Sequence, residues 1–431
     1  MSLFDKGLFA ATAASALTVL YLVGTIIYSL FLHPLHKFPG PLLMRATRLP
    51  YAYKVIAGTL PFDMLDLHNR YGDVVRVAPN ELAFLDEKTW QDIMPRFFYN
   101  PTNGPTNIIS LVGTEHALLR RQLSPGFSER SLRSQQPIIM GYIDKLISRL
   151  HEHCKSGNVD LMSWYNFTTF DIIGDLAFGE SFGCLENSDY HPWVRNIFAV
   201  VKVASVVQLS THFPWLRVLI INVLSSPLSR NRQSSHRKLT REKLLRRIEL
   251  GKNQERPDLI EGLLKKKDEW NMPSGHLERN ASVLIVAGSE STATALSGIT
   301  YLLTKNPEAL RQLTEEIRSS FKSEEEIDFV SVNKLTYLLA CLDEGLRMYP
   351  PVPSGLPRVS PEEGATVSGQ YVPKNSIVAI HQWATYHSER NFNKPFEFHP
   401  ERFLGDPEFE SDYCKALQPF HTGPRGCLGR K

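Results

Sequence analysis

Residues 420–429, Phe-His-Thr-Gly-Pro-Arg-Gly-Cys-Leu-Gly, place Cys427 in a tight glycine- and proline-containing loop two positions after Arg425. Glycine has no Cβ, so Gly423, Gly426 and Gly429 let the backbone turn sharply and come close to a flat partner. A cysteine thiolate is a soft, strongly donating metal ligand. The spacing Phe-x-x-Gly-x-Arg-x-Cys-x-Gly fixes Phe420, Gly423, Arg425, Cys427 and Gly429 together. The plain alternative is a buried structural thiol in a turn, since free cysteine is among the most buried residue types.

The rest of the chain limits what can surround that loop. At 431 residues it holds two or three ordinary domains or one large helical enzyme fold. Hydrophobic residues make up 42%, enough for a sizeable core. A net charge of +3 is too small to argue for nucleic acid, which is not expected as a partner. The five cysteines, Cys154, Cys184, Cys341, Cys414 and Cys427, are odd in number and scattered, with no Cys-x-x-Cys pair. That argues against zinc or dithiol sites and against a disulfide framework. A ligating thiolate needs reducing surroundings, so the part carrying Cys427 belongs in the cytosol. Asn166-Phe167-Thr168 and Asn280-Ala281-Ser282 match the glycosylation pattern but go unused on that side of a membrane.

From Gly7 to Leu32 no residue is charged, a run longer than the roughly 20 residues that cross a bilayer. A secretory signal is the alternative, with Ala14-Ser15-Ala16 resembling a cleavage site. The apolar run continues through Val19-Leu20-Tyr21-Leu22-Val23, so a retained anchor over residues 1–32 is expected. Lys37, Arg45 and Arg48 follow the span, against Lys6 offset by Asp5 before it, which leaves residues 33–431 cytosolic. The stretch His33-Pro34-Leu35-His36-Lys37-Phe38-Pro39-Gly40-Pro41 cannot continue a helix and reads as a stiff hinge.

Tyr71 to Pro79 and Glu81 to Leu85 look like a short antiparallel pair turning at Pro79-Asn80. From about Glu129 to Tyr349 most segments carry the i, i+3, i+4 apolar rhythm of helices. The polar stretches 230–235 and 265–269 read as a solvated turn and a solvated helix end. After Pro350 short strands alternate with turns, as at Ser376 to Ile380 following Pro373-Lys374-Asn375. The expected fold is mainly α with small β-sheets. No Gly-x-Gly-x-x-Gly follows a strand, so the chain carries no nucleotide fold of its own.

Three more motifs stand in order before the cysteine loop. Ala287-Gly288-Ser289-Glu290-Ser291-Thr292 interrupts an apolar helix running from about Asn280 to Leu303. Glycine there costs about 1 kcal/mol relative to alanine, and the hydroxyls can bond back to carbonyls and open the helix. Read plainly, the segment is a small-residue helix crossing. Glu344 and Arg347 lie three apart on one helix face, which on a surface would mean little; Pro400-Glu401-Arg402-Phe403 supplies a second arginine. His116 and Arg120 sit one helical turn apart.

Together with the cysteine loop, these segments resemble the cytochrome P-450 superfamily of haem-thiolate monooxygenases, and the likeness covers nearly the whole chain. The resemblance implies heme b with its iron on the Cys427 thiolate, in a loop shaped by Phe420, Gly423, Arg425 and Gly429. Thiolate ligation pushes haem iron toward cleaving the O–O bond. It implies a distal helix whose Glu290, Ser291 and Thr292 relay protons, with Ser291 where the family usually has threonine. His116, Arg120, Arg358 and Arg425 would face the haem propionates, the guanidiniums through their fork of donors. Glu344, Arg347 and Arg402 would form a buried structural network.

By the same resemblance, Asn103 to Leu111, Val286 and Val352 to Leu356 wall a pocket for a hydrophobic substrate. A separate NADPH-cytochrome reductase would supply electrons to a protein anchored in the endoplasmic reticulum membrane. Residues 350–404 look like fungal members that decorate secondary metabolites, so hydroxylation of a terpenoid or polyketide of mycotoxin type is expected. Family members continue past the cysteine into a further helix and strands, so the domain over 33–431 is expected to be C-terminally incomplete. The alternatives are a reductase-independent haem-thiolate isomerase or dehydratase, and an inactive membrane-tethered remnant.

Overall fold

A computed structural model describes residues 3–94, 107–191, 194, 206, 209–210, 212–213, 241–249, 259–261, 264 and 274–430. The polar stretches 230–235 and 265–269, and Asn103 of the expected substrate wall, lie outside these residues. In chain order the main elements are α1 (Leu3–Ile27), α2 (Leu42–Ala46), α3 (Leu49–Ala57), α4 (Leu60–Tyr71), β1 (Val74–Ala78), β2 (Glu81–Phe84), α5 (Lys88–Ile93), α6 (Gly113–Leu123), α7 (Glu129–His153), α8 (Leu161–Phe178), α9 (Cys184–Asn187), α10 (Ser274–Lys305), α11 (Pro307–Ser320), α12 (Thr336–Met348), β3 (Arg358–Val359), β4 (Ala365–Val367), β5 (Gln370–Val372), β6 (Ile377–Ile380) and α13 (Gln382–Tyr386). The fold is mainly helical with small sheets, as the sequence pattern predicts.

The chain forms two compact units, the first from residues 1–98 with 354–388. Its four-stranded sheet has the order β1-β2-β6-β3. β1 and β2 are antiparallel, with Val74 opposite Phe84 and Arg76 opposite Leu82. β6 runs parallel to β2, Glu81 opposite Ile377, and β3 closes the other edge antiparallel to β6. Nearly every position of β1, β2 and β6 is buried, so these strands read as continuous runs rather than alternating ones. Leu35, Phe38, Phe84, Trp90 and Val378 form part of the core.

Ala11–Leu32 is long and apolar enough to cross a membrane. The stretch after it is not a free hinge. Leu35 and Phe38 are buried, and the Arg76 N–H donates to Pro39 O at 2.7 Å. A Cβ on Gly40 would fall 2.3 Å from Arg76 O, so only glycine lets the chain lie against β1 there. Backbone pairing with β1 docks the segment.

The second unit takes residues 99–353 and 389–431. α8 starts at Asp160, whose carboxylate accepts the Met162 N–H at 3.1 Å, and ends at Gly179 with φ +72°. It is buried along most of its length and packs on α10, with Phe170, Phe178, Leu284 and Ile285 in the shared core. The helices cross at Gly288, where an added Cβ would meet Ile173 Cδ1 at 2.8 Å. α11 and α12 form a smaller core with Leu313, Tyr337, Cys341 and Phe398. Asn166 and Asn280 are both buried, which by itself keeps the two glycosylation matches unused.

Candidate active site

The thiolate loop is closed by its own backbone. His421 and Gly423 take positive φ, +55° and +71°, which turns the chain into a short 3₁₀ segment at Gly423–Arg425. The Gly426 N–H donates to Gly423 O at 3.0 Å and the Cys427 N–H to the carbonyl of half-buried Phe420 at 2.7 Å. The Cys427 thiol is exposed, so it does not fill a core position. A Cβ on Gly429 would make only ordinary contact with Cys427 Sγ at 3.9 Å. Nothing in the packing of the loop demands glycine at that position.

Polar side chains from α6 gather beside the loop. His116 is buried and held down to about 4, first by burial and then by the charges of Arg425 and Arg120. Burial lowers the Arg120 guanidinium from its usual range, while the neighbouring Cys427 acts in the opposite direction. Arg425 donates to Ile109 O at 2.9 Å, to Ile108 O at 3.4 Å and to Leu111 O. On its other side the same turn is tied to α10, because the Ile108 N–H donates to Asn280 Oδ1 at 2.9 Å. Arg358 belongs to the first unit, where it is fully buried and donates to Leu356 O at 3.2 Å and Pro357 O at 3.4 Å.

In α10 the hydroxyls bond back as expected, Ser291 Oγ to Ala287 O at 2.6 Å and Thr292 Oγ1 to Gly288 O at 3.0 Å. They do not open the helix, which stays α-helical throughout Ser274–Lys305. These side chains satisfy carbonyls that remain within the helical ladder. Ala287, Gly288 and Thr292 are exposed on a helix that is otherwise largely packed. Glu290 is half-buried, and its Oε2 has no hydrogen-bond partner among the described residues. Burial raises its carboxyl above the ordinary range.

The structure brings Glu344, Arg347 and Arg402 together with fully buried side chains. Arg347 donates to Glu344 through Nε at 2.7 Å and Nη2 at 2.8 Å, and to Pro395 O at 2.7 Å. Glu344 also accepts the His399 N–H at 2.9 Å. Arg402 Nε lies 3.0 Å from Glu344 Oε2 but is not aligned for a hydrogen bond.

The profile of the Cytochrome P-450 family matches residues 60–431. The chain is 44% identical over 426 residues to cytochrome P-450 monooxygenase prhB of Penicillium brasilianum, covering 96% of this chain and 86% of that protein. It is 45% identical over 439 residues to cytochrome P-450 monooxygenase tpeC of Talaromyces stipitatus, covering 97% and 85%. An averantin hydroxylase of Dothistroma septosporum is 41% identical over 426 residues, covering 96% and 80%. The chain belongs to the cytochrome P-450 family. It is therefore a haem-dependent monooxygenase, an oxidoreductase of a family that holds haem iron on a cysteine thiolate.

The residues of this cytochrome P-450 fit that group. Its exposed Cys427 thiol is a soft donor, and the nearby glycine at 429 serves no packing need among the described residues. His116 and two guanidiniums stand close by for an anionic partner. Sequence spacing misses three participants. Asp412 pairs with Arg402 ten residues away through irregular chain, Asn280 anchors the 107–111 turn, and Phe392 lies under both guanidiniums of the buried network. Asn280 shows in the sequence only as the start of an apolar helix and part of an unused glycosylation match.

Proposed function

We propose that this cytochrome P-450 hydroxylates an apolar small molecule in fungal secondary metabolism, of the terpenoid or polyketide mycotoxin class, with heme b on Cys427. The observation that carries the reading is the exposed Cys427 thiol in a loop closed on Phe420 O, with His116 and Arg120 beside it. The fungal origin of the relatives, one of them named for hydroxylating averantin, supports the substrate class. When bound, haem supplies the activation of dioxygen that side chains cannot.

The chain's own residues do the rest. Cys427 would supply the thiolate ligand, with Phe420, Gly423 and Gly429 shaping its loop. Glu290 offers a half-buried carboxyl that burial raises and whose Oε2 has no partner among the described residues, and the Ser291 and Thr292 hydroxyls, donating to their own helix, keep lone pairs free to accept a proton. His116, Arg120 and Arg425 would supply positive or hydrogen-bonding groups to the haem carboxylates. Glu344, Arg347 and Arg402 fix the core behind the site. Residues 1–32 anchor the chain in the endoplasmic reticulum membrane with residues 33–431 in the cytosol, where an NADPH-cytochrome reductase delivers electrons.

The test is the reduced, carbon monoxide-bound difference spectrum of the full chain. Wild-type protein should show the strongly red-shifted Soret band of a thiolate-ligated haem, and Cys427→Ser should lose it along with all turnover. A Cys427→Ser variant that keeps the band would place the ligand elsewhere.

A further inference from the structure

Two guanidiniums, Arg347 and Arg402, are buried at zero side-chain exposure beside the single carboxylate of Glu344. One carboxylate cannot balance two buried cations, and an uncompensated buried charge is strongly destabilising. Arg402 does not direct an aligned hydrogen bond at Glu344. Its aligned partners are the Asp412 carboxylate and the Asn393 carbonyl, the latter at 3.2 Å from both Nη atoms. The Asp412 side chain is itself fully buried, and its other oxygen accepts the Asn393 N–H at 2.6 Å. Asp412, Asn393 and Arg402 thus form a closed triangle in which every bond to the carboxylate is charge-assisted.

The triangle ties down a particular piece of chain. The next residue, Tyr413, donates its N–H to Asn391 O at 2.7 Å, so 391–393 and 412–413 are joined at two points. From there one short 3₁₀ turn, Cys414–Ala416, leads toward Phe420, whose carbonyl receives the Cys427 N–H. The Phe409 ring lies 4.4 Å from the Arg402 guanidinium and fills the remaining side. The chain between Arg402 and the thiolate loop therefore has its one buried ionic attachment, among the described residues, at Asp412.

We propose that Asp412 is a positioning residue, the fourth member of the buried charge network, which neutralises Arg402 and sets the path of the chain into the thiolate loop. It touches no reacting atom. The proposal rests on the reading that Cys427 ligates the iron, and the experiment separates the two.

Asp412→Asn keeps the shape and removes the charge. In the full chain, supplied with haem, the ratio of thiolate-ligated to misligated haem in the carbon monoxide difference spectrum should fall at least about tenfold, with cleavage by a protease between 412 and 427 rising in parallel. A charge-neutral partner variant tests the cause: Arg402→Met with Asp412→Asn leaves no stranded charge. It should recover folded, thiolate-ligated protein relative to Asp412→Asn alone, a readout that decides the matter even if the single variant does not fold. An Asp412→Asn chain with the wild-type ratio, or a double variant no better than a single one that fails, overturns the proposal. A wild-type chain without the thiolate band would instead break the reading of Cys427.

Discussion

Glu344 and Glu290 differ in chemistry, although both are carboxylates on helices of the same unit. Glu344 is wholly buried and accepts two hydrogen bonds from Arg347 and one from the His399 N–H, with Arg402 beside it. Glu290 is half-buried with one oxygen unpartnered, and burial pushes its carboxyl up. Cations and N–H donors make a carboxylate a fixed charge; burial without them makes it a place to keep a proton. The same division runs through the arginines. Arg347 and Arg402 are enclosed with carboxylates, whereas Arg120 stands beside an exposed thiol.

The sharpest way to break that comparison is to neutralise each acid. Glu344→Gln strands the buried Arg347 guanidinium and should cost about 3 to 5 kcal/mol, read as a collapse in the yield of folded chain or in its urea midpoint. A Glu344→Gln protein of wild-type stability would mean the network does not depend on its charge. Glu290→Gln should instead leave the fold standing and lower turnover roughly a hundredfold, the scale of a lost proton-transfer group. Its effect on stability has a definite sign. A carboxyl raised by burial contributes stability that is present below its unfolded value and lost as pH rises through its folded value. The glutamine variant should therefore melt higher than wild type near neutral pH and alike in acid. A lower melting temperature at neutral pH would show that Glu290 is held as a structural charge after all.

Local chemistry carried much of this into the sequence. The β1–β2 pair is visible because Pro79-Asn80 interrupts two apolar runs, and Glu344 meets Arg347 because three residues bring side chains onto one helix face. The polar break in α10 is visible too, yet its glycine answers to Ile173 across a helix crossing, a partner more than a hundred positions away. Asp412 and the grip of Arg425 on the 107–111 turn leave no such mark. Both depend on irregular chain folding back on another segment, where neither the 3.6 nor the 2.0 period applies. The docked stretch after the membrane-length helix fails for a related reason: proline chemistry predicts stiffness, while the bond from Arg76 to Pro39 that holds it down is a tertiary fact.

His116 offers the smallest effect and the finest test of the difference between enclosed and waiting charges. Burial and two flanking guanidiniums hold it at about 4, below the ordinary 6.5. A histidine depressed in this way is neutral in the folded chain, while the unfolded chain takes up a proton as pH falls past its ordinary value. Stability is therefore full above about pH 6.5 and lost progressively toward pH 4. His116→Gln should flatten that stretch of the urea-midpoint curve in the haem-free chain while changing little at pH 8. If Arg120 and Arg425 stand ready for haem carboxylates, loading the wild-type chain with haem should flatten it as well, because an anion beside the imidazole opposes the guanidiniums and raises its affinity for a proton. Equal slopes in the haem-free wild type and the variant would show that His116 does not carry the depressed titration. Flattening in the variant but not on haem loading would remove His116 from the carboxylate site and leave it a core histidine of α6.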